Sequence, residues 1–253
     1  MTPAGSLLRE PGGEGGSRDA PVRPFGAPRR SLSGSARPRH PLELDLEVLR
    51  RERDGGRRWR QAFGAERPLR LEIGVGNSDF LIEVALKEPD YNYLGFEYSA
   101  KRVAKFLRSV ERRAVGSIRM LRVSVLEVLD ELAAGLVERL AGGLLDEASL
   151  DRIYINFADP WPKRRHEKHR VVRRATAAVF RRLLSPGGGI SLRTDNWVYA
   201  TGMIGALDGE PGLENLSGPG NFSLSPRDPF PTAYERKFLG EGRPIYYLEY
   251  RRR

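Results

Sequence analysis

Hydrophobic residues follow two different spacings along this chain, and the two spacings alternate from residue 68 onward. Short apolar runs are typical of buried strands, and they occur at residues 69–73, 91–97, 117–123, 150–157 and 190–193. Apolar residues at helical spacing fill the segments between and after them, at residues 80–87, 99–113, 126–140, 171–184 and 197–207. Strands that alternate with helices over short links pair in parallel, so the pattern predicts a doubly wound α/β sheet.

The regular alternation of strands and helices ends after residue 207. Residues 213–216 and 245–250 are strand-like, and a loop rich in Pro and Gly separates them. This arrangement predicts a terminal antiparallel pair on an otherwise parallel sheet. The predicted fold class is therefore α/β, with a mostly parallel, Rossmann-like sheet of seven strands. Within the loop, Pro226, Pro229 and Pro231 precede Tyr234 and Glu235, and we interpret that segment as a restricted arm able to fold over a ligand site.

The first part of the chain has a different composition. Residues 1–40 are rich in Gly, Pro, Ser and Arg and contain almost no large apolar side chains. Such a segment cannot bury enough surface to offset the entropy of ordering, so we predict a disordered basic tail there. Residues 41–253 are predicted to form one domain that begins with a short helical extension, with helical spacing over residues 42–53. Trp59 and Phe63, four residues apart, are expected to pack this extension onto the domain.

Charge and cysteine content narrow the classes of function. The 253 residues include 43 Lys and Arg against 33 Asp and Glu, and the net charge of +10 at pH 7 predicts a polyanionic partner such as a nucleic acid. The chain has no cysteine, which excludes disulfides, zinc ribbons and thiol catalysis. No apolar run approaches the roughly 18 residues of a membrane span, and the N-terminus does not resemble a secretory signal. We therefore expect a cytoplasmic protein without a membrane partner.

Polar residues collect where the predicted parallel strands end. In an open parallel sheet, ligands bind beyond the carboxyl ends of the strands. The first strand leads through Glu72 into a Gly-Val-Gly turn, and the second ends at Glu97. The ends of the later strands supply Ser124, Asn156, Asp159 and Asp195. These side chains are expected to converge on one edge of the sheet and to form a ligand site there.

The turn after the first strand differs from the dinucleotide-binding fingerprint. Residues 72–79 lack the third glycine of that motif, and Glu72 precedes the first glycine. An acid at this point repels a pyrophosphate and suits a ligand with a cationic group. Gly74 and Gly76 permit a tight turn and close approach of the backbone to a ligand. Glu97 is placed to accept both ribose hydroxyls of a nucleoside, so the predicted cofactor is a nucleoside with a positive charge, S-adenosylmethionine.

Residues 156–170 carry an acid, an aromatic residue and a dense cationic run in close succession. Asp159 lies in a Pro-rich turn with Trp161, which either lines the pocket, stacks on a base or packs under the turn. The cationic residues that follow are Lys163, Arg164, Arg165, Lys168, Arg170, Arg173 and Arg174. We interpret this run as a grip on an RNA backbone, since Lys and Arg neutralise phosphates. His166 and His169 would need a third ligand to hold a metal, and we predict no metal site.

With these residues the chain resembles the bacterial tRNA (guanine-N7-)-methyltransferases, a family of class I methyltransferases that use S-adenosylmethionine. The resemblance extends from about Trp59 to the C-terminus. It depends on residues 72–76 (EIGVG), 95–97 (GFE), 156–166 (NFADPWPKRRH), 194–195 (TD) and 232–238 (TAYERKF). The third and fifth motifs are very specific in combination, whereas the glycine turn alone would identify only the superfamily. The resemblance implies methyl transfer to N7 of a variable-loop guanine in tRNA.

The resemblance also implies roles for individual residues. The residues assigned to the cofactor pocket are Glu72, Gly74, Gly76, Glu97, Ser124 and Asp159. Asp159 is further implied as the catalytic residue at the junction of cofactor and target base, and Lys163 as a contact to tRNA. The residues implied to lie at the target guanine are Asp195, Thr232, Glu235 and Arg236. Two positions depart from the family, Ser78 in place of a third glycine and Ser124 in place of Asp or Asn, so we predict weaker cofactor binding than in a typical member.

Two alternative functions remain open at this point. Methylation of adenine amino groups commonly uses Asn or Asp followed by two prolines and an aromatic residue, and Trp161 occupies the position of the second proline here. A non-catalytic RNA-binding protein with the same fold would explain Ser78 and Ser124, but it has little use for five acids beside a cationic run. The sequence does not distinguish a monomer from a homodimer.

Overall fold

The structure is a computed structural model, and it describes residues 40–51, 55–133, 145, 147–227 and 230–253. The predicted disordered tail of residues 1–40 lies, apart from His40, outside the described residues. The last part of the predicted third helix, residues 134–140, also lies outside them. None of the described helices is long and apolar enough to cross a membrane.

The N-terminal extension adds a short strand and two helices to the domain. Strand β1 (Glu43–Leu44) precedes helix α1 (Leu46–Arg51), and helix α2 (Gly55–Phe63) follows. The prediction of one helix over residues 42–53 is wrong at its start, because residues 43 and 44 pair in parallel with residues 120 and 121. Trp59 and Phe63 are both buried, and their ring centroids are 6.2 Å apart, which confirms the predicted packing.

The rest of the domain alternates strands and helices. The parallel strands are β2 (Leu69–Ile73), β3 (Asn92–Glu97), β4 (Ile118–Arg122), β5 (Leu150–Asn156) and β6 (Leu184–Thr194). The interleaved helices are α3 (Phe80–Lys87), α4 (Ala100–Arg112), α5 (Val125–Ala133), α6 (Arg174–Leu183) and α7 (Trp197–Leu207). A 3₁₀ helix (Arg164–His169) lies between β5 and α6. The chain ends with β7 (Leu213–Asn215), α8 (Ala233–Gly240) and β8 (Tyr246–Arg252).

The strands form one sheet in the order β1-β4-β3-β2-β5-β6-β8-β7. The pairs from β1 to β6 are parallel, and β8 is antiparallel to both β6 and β7. This confirms the predicted parallel sheet with an antiparallel terminal pair, and β1 adds an eighth strand to the seven predicted. The chain runs outward from β2 to β4 and then crosses to β5. The switch point of the topology therefore lies between β2 and β5, where a ligand site is expected.

Strand β6 begins earlier than the apolar pattern predicts. Residues 185–189, Ser-Pro-Gly-Gly-Gly, were expected to separate helix and strand, yet the strand already starts at Leu184, and its register with β5 shifts between Leu150 and Arg152. A Cβ at Gly188 would lie 2.9–3.0 Å from three backbone oxygens, so only glycine fits this irregular pairing. The glycines therefore serve the strand and do not simply end a helix.

Helix α8 replaces part of the predicted Pro-rich arm. The Thr232 side chain accepts a hydrogen bond from Glu235 N at 2.9 Å, and the Glu235 carboxylate accepts one from Thr232 N at 3.1 Å. This reciprocal pair is a capping box, which starts a helix. Residues 233–240 of this segment are therefore helical and not a loop, while its folding over a ligand site stays a prediction.

The hydrophobic core that supports the site lies between the sheet and helices α3 and α4. Phe80 of α3 and Phe106 of α4 are among its buried residues, together with Tyr93 and Tyr154 from the strands. The rings of Phe80 and Tyr154 meet edge to face, with centroids 5.1 Å apart. This packing fixes α3 against the strands whose carboxyl ends carry Glu72, Glu97 and Asn156.

Candidate active site at the switch point of the sheet

The turn between β2 and α3 has the backbone conformation that requires glycine. Gly74 and Gly76 have φ values of +78° and +63°, in the left-handed region that other residues rarely adopt. The amides of Gly74 and Val75 both donate to Phe96 O, at 2.9 and 3.2 Å, and tie the turn to the end of β3. A Cβ at Gly74 would meet no heavy atom within 4 Å, so conformation and not crowding selects glycine there. The open space beside Gly74 lets a ligand approach the backbone closely.

Ser78, which stands in place of a third glycine, does not disturb this turn. Its backbone is not among those with positive φ, so the position does not require glycine. The buried Ser78 hydroxyl accepts a hydrogen bond from Phe80 N at 3.1 Å and so supports the first turn of α3. The expectation of weaker cofactor binding therefore depends on Ser124 alone.

Ser124 lies between β4 and α5, and it is half-buried. Its carbonyl accepts a hydrogen bond from Val128 N at 3.2 Å and starts α5. We expect Ser124→Asp to tighten S-adenosylmethionine binding about tenfold, because a carboxylate accepts a stronger hydrogen bond than a hydroxyl. Isothermal titration would measure the change, with Ser117→Asp at the opposite end of β4 as the matched control. Equal or weaker binding by Ser124→Asp would refute the prediction.

Glu97 connects the glycine turn to the loop between β3 and α4. Its side chain is 3% exposed, one oxygen accepts from Gly76 N at 3.1 Å, and the other accepts from Ser99 N at 2.9 Å. Arg102 Nη1 lies 3.7 Å from the same carboxylate. A carboxylate has about four acceptor positions, so Glu97 keeps capacity for hydroxyl donors such as those of a ribose.

Glu72 is the most deeply buried acid of the site, with 0% exposure. Its Oε1 accepts from Asn156 Nδ2 at 2.9 Å, whereas its Oε2 has no hydrogen-bond donor among the described residues. Burial raises the pKa of Glu72 to about 8, although the Asn156 hydrogen bond and the positive charge of Arg193 act to lower it. A buried acceptor without a donor suits a ligand that brings a cationic group to this point.

The raised pKa of Glu72 predicts a dependence of stability on pH. Its pKa in the unfolded chain is near the ordinary 4.5, and its pKa in the folded chain is about 8. Between these values the folded state holds the proton more tightly, so the contribution of Glu72 to stability is complete below pH 4.5 and is lost as pH rises through 8. We expect the difference in unfolding free energy between wild type and Glu72→Gln to fall steadily from pH 5 to pH 8 in urea titrations. A difference that stays constant with pH would contradict this.

Asp159 lies on a turn with unusual backbone geometry. Phe157 and Trp161, on either side of it, have φ values of +51° and +43°, which are strained for bulky residues. Arg170 holds the turn, with Nε donating to Pro160 O at 2.9 Å and Nη2 donating to Trp161 O at 3.2 Å. Strain of this kind persists only where the surrounding contacts impose it.

The Asp159 carboxylate is half-buried, and burial raises its pKa. In the part of the chain that the structure describes, it has no hydrogen bond or ion pair. The group is thus partly withdrawn from water and available to a ligand at the switch point.

Trp161 packs against the 3₁₀ helix that follows the turn. Its ring centroid lies 5.0 Å from that of His169 and 5.6 Å from that of His166. Of the alternatives considered for Trp161, packing with the turn is the one that these contacts support. The described residues contain no group of three His, Cys, Asp or Glu side chains suited to a metal ion.

The cationic run divides into exposed residues and residues committed to the fold. Lys163, Arg165 and Lys168 are exposed, and we call them the Lys163 segment. Arg170 is committed to the turn as described, and Arg173 forms an ion pair with Asp130. Arg174, at the start of α6, is also exposed. The predicted grip on RNA would therefore depend on the Lys163 segment and Arg174, and not on Arg170 and Arg173.

The residues implied at the target guanine lie around α8, but two of them are buried. Thr232 and Glu235 are 1% and 2% exposed. Glu235 Oε1 accepts from Tyr247 OH at 2.7 Å, in addition to the contacts of Oε2. Asp195, at the end of β6, pairs with Arg243, while Arg236 is exposed and donates to Pro231 O at 2.8 Å. α8 itself covers the Asp159 loop, since the Phe157 ring lies 6.0 Å from Tyr234 and 5.5 Å from Phe238.

Arg193 is a site residue that the sequence reasoning missed. It is 2% exposed, and its Nη1 donates to Glu235 Oε2 at 2.8 Å and to Phe230 O at 2.6 Å. Its charge also acts on Glu72, so it connects the end of β2 with α8. The sequence contains one signal for this role, a charged residue within the predicted strand of residues 190–193.

Comparisons with known proteins agree with this arrangement. Residues 66–248 match the sequence model of a family described as "Putative methyltransferase". The tRNA (guanine-N(7)-)-methyltransferase of Alkalilimnicola ehrlichii is 38% identical over 194 residues, which cover 76% of each chain. The enzyme of the same name from Geobacter metallireducens is 35% identical, over 77% of this chain and 86% of its own.

The sheet also has the architecture of solved methyltransferases. A variant of the 16S rRNA (adenine(1408)-N(1))-methyltransferase from Catenulisporales acidiphilia, with cosubstrate SAM, matches at a TM-score of 0.50 and 16% identity. The match covers 78% of this chain and 91% of that one, and at this identity it supports the fold alone. The family follows from the sequence relatives, which exceed 30% identity over more than two thirds of the chain. On this evidence the chain belongs to the tRNA (guanine-N(7)-)-methyltransferase family.

Proposed function

We propose that this protein transfers the methyl group of S-adenosylmethionine to N7 of a variable-loop guanine in tRNA. The observation that carries the proposal is the half-buried Asp159 carboxylate, which has no partner among the described residues and is held on a strained turn next to the exposed Lys163 segment. Such a group suits a reaction in which the target gains positive charge, and the cationic segment beside it suits a polyanionic substrate.

The residues around the glycine turn fit the cofactor. Gly74 and Gly76 offer a bare backbone, Glu97 would accept the ribose hydroxyls, and Ser124 would lie toward the adenine. The buried Oε2 of Glu72 would receive the cationic methionyl part. When bound, S-adenosylmethionine supplies a methyl group activated by a sulfonium charge.

The protein's own contribution is alignment and charge stabilisation. Guanine N7 carries an in-plane lone pair, so no general base has to remove a proton before the methyl group is attacked. Alignment of two reactants contributes up to about 7–11 kcal/mol in well-organised sites. Asp159 would stabilise the positive charge that the base gains, and its partial burial strengthens that interaction relative to water.

The RNA must present its N7 edge for this reaction. In folded RNA that edge lies in a deep, narrow major groove or in a tertiary pair, so the base has to be unstacked at a cost of a few kcal/mol. In our proposal Lys163 and its neighbours hold the backbone, while Asp195, Thr232, Glu235 and Arg236 contact the base. Since Thr232 and Glu235 are buried, that contact would require α8 to move.

The test is transfer of labelled methyl groups from S-adenosylmethionine to unmodified tRNA, followed by nucleoside analysis. The expected product is 7-methylguanosine, in the variable loop when the tRNA is digested and mapped. Formation of 6-methyladenine would show that the target base is different. Binding of tRNA without any transfer would instead support a non-catalytic RNA-binding protein. The proposal includes a cytoplasmic location, since tRNA is modified there.

A further inference from the structure

Helix α4 presents a row of positive charges along one exposed face. Lys101, Lys105, Arg108 and Arg112 follow each other at intervals of four, three and four residues, so they lie on the same side of the helix. All four are exposed, and we call them the α4 cationic face. At 1.5 Å per residue the row is about 16 Å long.

The cations of this face have no acidic partner within the described parts of the chain. Among the described residues, Lys101, Lys105 and Arg108 form no ion pair, and Arg112 donates to the Ser109 hydroxyl at 2.9 Å. The single acid of the helix, Glu111, pairs with His40 Nε2 at 2.9 Å.

Several arginines elsewhere on the surface have acidic partners. Arg113 pairs with Glu83, immediately after the helix, and Arg182 pairs with Glu147 at 2.6 Å. Arg251 pairs with Glu214 at 2.9 Å. The α4 cationic face differs from these sites, because four exposed cations follow one another on one side of a single helix and none of them forms an ion pair among the described residues.

The two surfaces lie on opposite sides of the candidate active site. Helix α4 starts from the loop that holds Glu97, at the carboxyl end of β3, and the Lys163 segment follows the carboxyl end of β5. β3 and β5 are the two neighbours of β2, so their ends are about 10 Å apart, with the glycine turn between them. The α4 cationic face begins at this edge with Lys101 and runs along the helix away from it, so a polyanion whose base enters the site would meet the Lys163 segment on one side and the first residues of the face on the other.

The opposite side of α4 argues against a lipid surface as the partner. A helix that binds in a membrane interface inserts an apolar face into it. The apolar residues of α4, Val103, Phe106, Leu107 and Val110, are buried in the protein core. Only charges remain outside, and these suit phosphates on an extended nucleic-acid backbone.

We propose that the α4 cationic face is a second binding surface for the tRNA backbone, on the opposite side of the site from the Lys163 segment. This inference rests on the proposed function, since it assumes a tRNA substrate. Two separate cationic contacts would hold the RNA on both sides of an extruded base and prevent it from pivoting.

The test removes three charges from this face and compares the result with an equal change elsewhere. The test variant is Lys101→Gln, Lys105→Gln and Arg108→Gln. The control is Arg67→Gln, Lys87→Gln and Arg253→Gln, which removes three exposed charges at the opposite, amino edge of the sheet. Affinity for unmodified tRNA would be measured by filter binding from 50 to 300 mM salt, and S-adenosylmethionine affinity by isothermal titration.

We expect the α4 variant to bind tRNA at least about tenfold more weakly at 0.1 M salt, with the slope of log K against log salt reduced by about 2–3. The control variant should stay within about twofold of wild type, and cofactor affinity should be unchanged in both. Equal losses in the two variants, or no loss in the α4 variant, would overturn the proposal. If the α4 variant lost binding to anionic vesicles but kept wild-type affinity for tRNA, the partner of this face would be a membrane, and the proposal would be overturned.

The same samples separate this inference from the proposed function. Wild-type protein that forms 7-methylguanosine while the α4 variant binds tRNA normally would refute only the role of α4. Wild-type protein that forms no methylated nucleoside would refute the proposed function itself. If the α4 variant still bound tRNA more weakly than wild type in that case, α4 would be an RNA-binding surface of a protein with a different activity.

Discussion

Asp159→Asn is expected to lower the turnover number by about 10²–10³-fold while tRNA affinity stays within about twofold of wild type. The substitution keeps the shape of the side chain and removes the negative charge that would stabilise the methylated base. Because the Asp159 carboxylate has no hydrogen bond or ion pair within the described ranges, no protein contact is broken by the change. The strained turn itself is held by Arg170 and should persist.

Single-turnover methylation with saturating tRNA and S-adenosylmethionine would measure this effect, alongside tRNA binding. Glu167→Gln provides the control, since Glu167 is an exposed acid in the 3₁₀ helix that follows the same turn. That control should retain wild-type turnover. If Asp159→Asn lost tRNA binding and turnover in parallel, its assignment as the catalytic residue would be wrong.

Arg193→Met is expected to reduce the free energy of unfolding by about 3–5 kcal/mol, because it leaves the buried Glu235 carboxylate without its cationic partner. Arg193 and Glu235 are 2% exposed and form a contact of 2.8 Å. Each kcal/mol shifts the melting temperature of a domain of this size by about 2–4 °C, so a fall of about 10 °C is expected. Urea denaturation followed by circular dichroism would give the free energy directly.

A surface ion pair supplies the comparison for Arg193. Arg182 pairs with Glu147 at 2.6 Å, but both side chains are partly exposed, so Arg182→Met should cost no more than about 1 kcal/mol. Combining Arg193→Met with Glu235→Gln should recover part of the lost stability, because the double variant no longer buries an unpaired charge. A loss for Arg193→Met as small as that for Arg182→Met would show that the buried pair does not stabilise α8.

The regular part of the fold could be predicted because each strand and helix there has one dominant spacing. Strands β2 to β5 are short apolar runs, and the helices between them carry an apolar face. The spacing of the apolar residues is therefore enough to distinguish the strands from the helices. Helix α8 was not predicted, because the prolines that precede it favour a loop. The Thr-x-x-Glu capping signal at Thr232 and Glu235 indicates the helix. β1 was missed because two residues are too few to show any period.

The convergence of polar residues at the strand ends could be predicted, but the contacts between them could not. Glu72, Glu97 and Asp159 are recognisable because the ends of parallel strands meet at one edge. The pairing of Asp195 with Arg243 depends on how α8 folds back across the sheet, and a separation of 48 residues gives no local signal for it. Arg193 was missed because hydrophobic patterning treats a charged residue in a strand as exposed.

The contacts of Glu97 hold two loops of the candidate site in a fixed arrangement. Its carboxylate accepts hydrogen bonds from Gly76 N and Ser99 N, and so it joins the β2–α3 turn to the β3–α4 loop through contacts within the protein itself. The conformational entropy of these two loops is therefore lost during folding and not during association. A nucleoside ligand meets a preorganised clamp, and more of its intrinsic interaction energy appears as measured affinity.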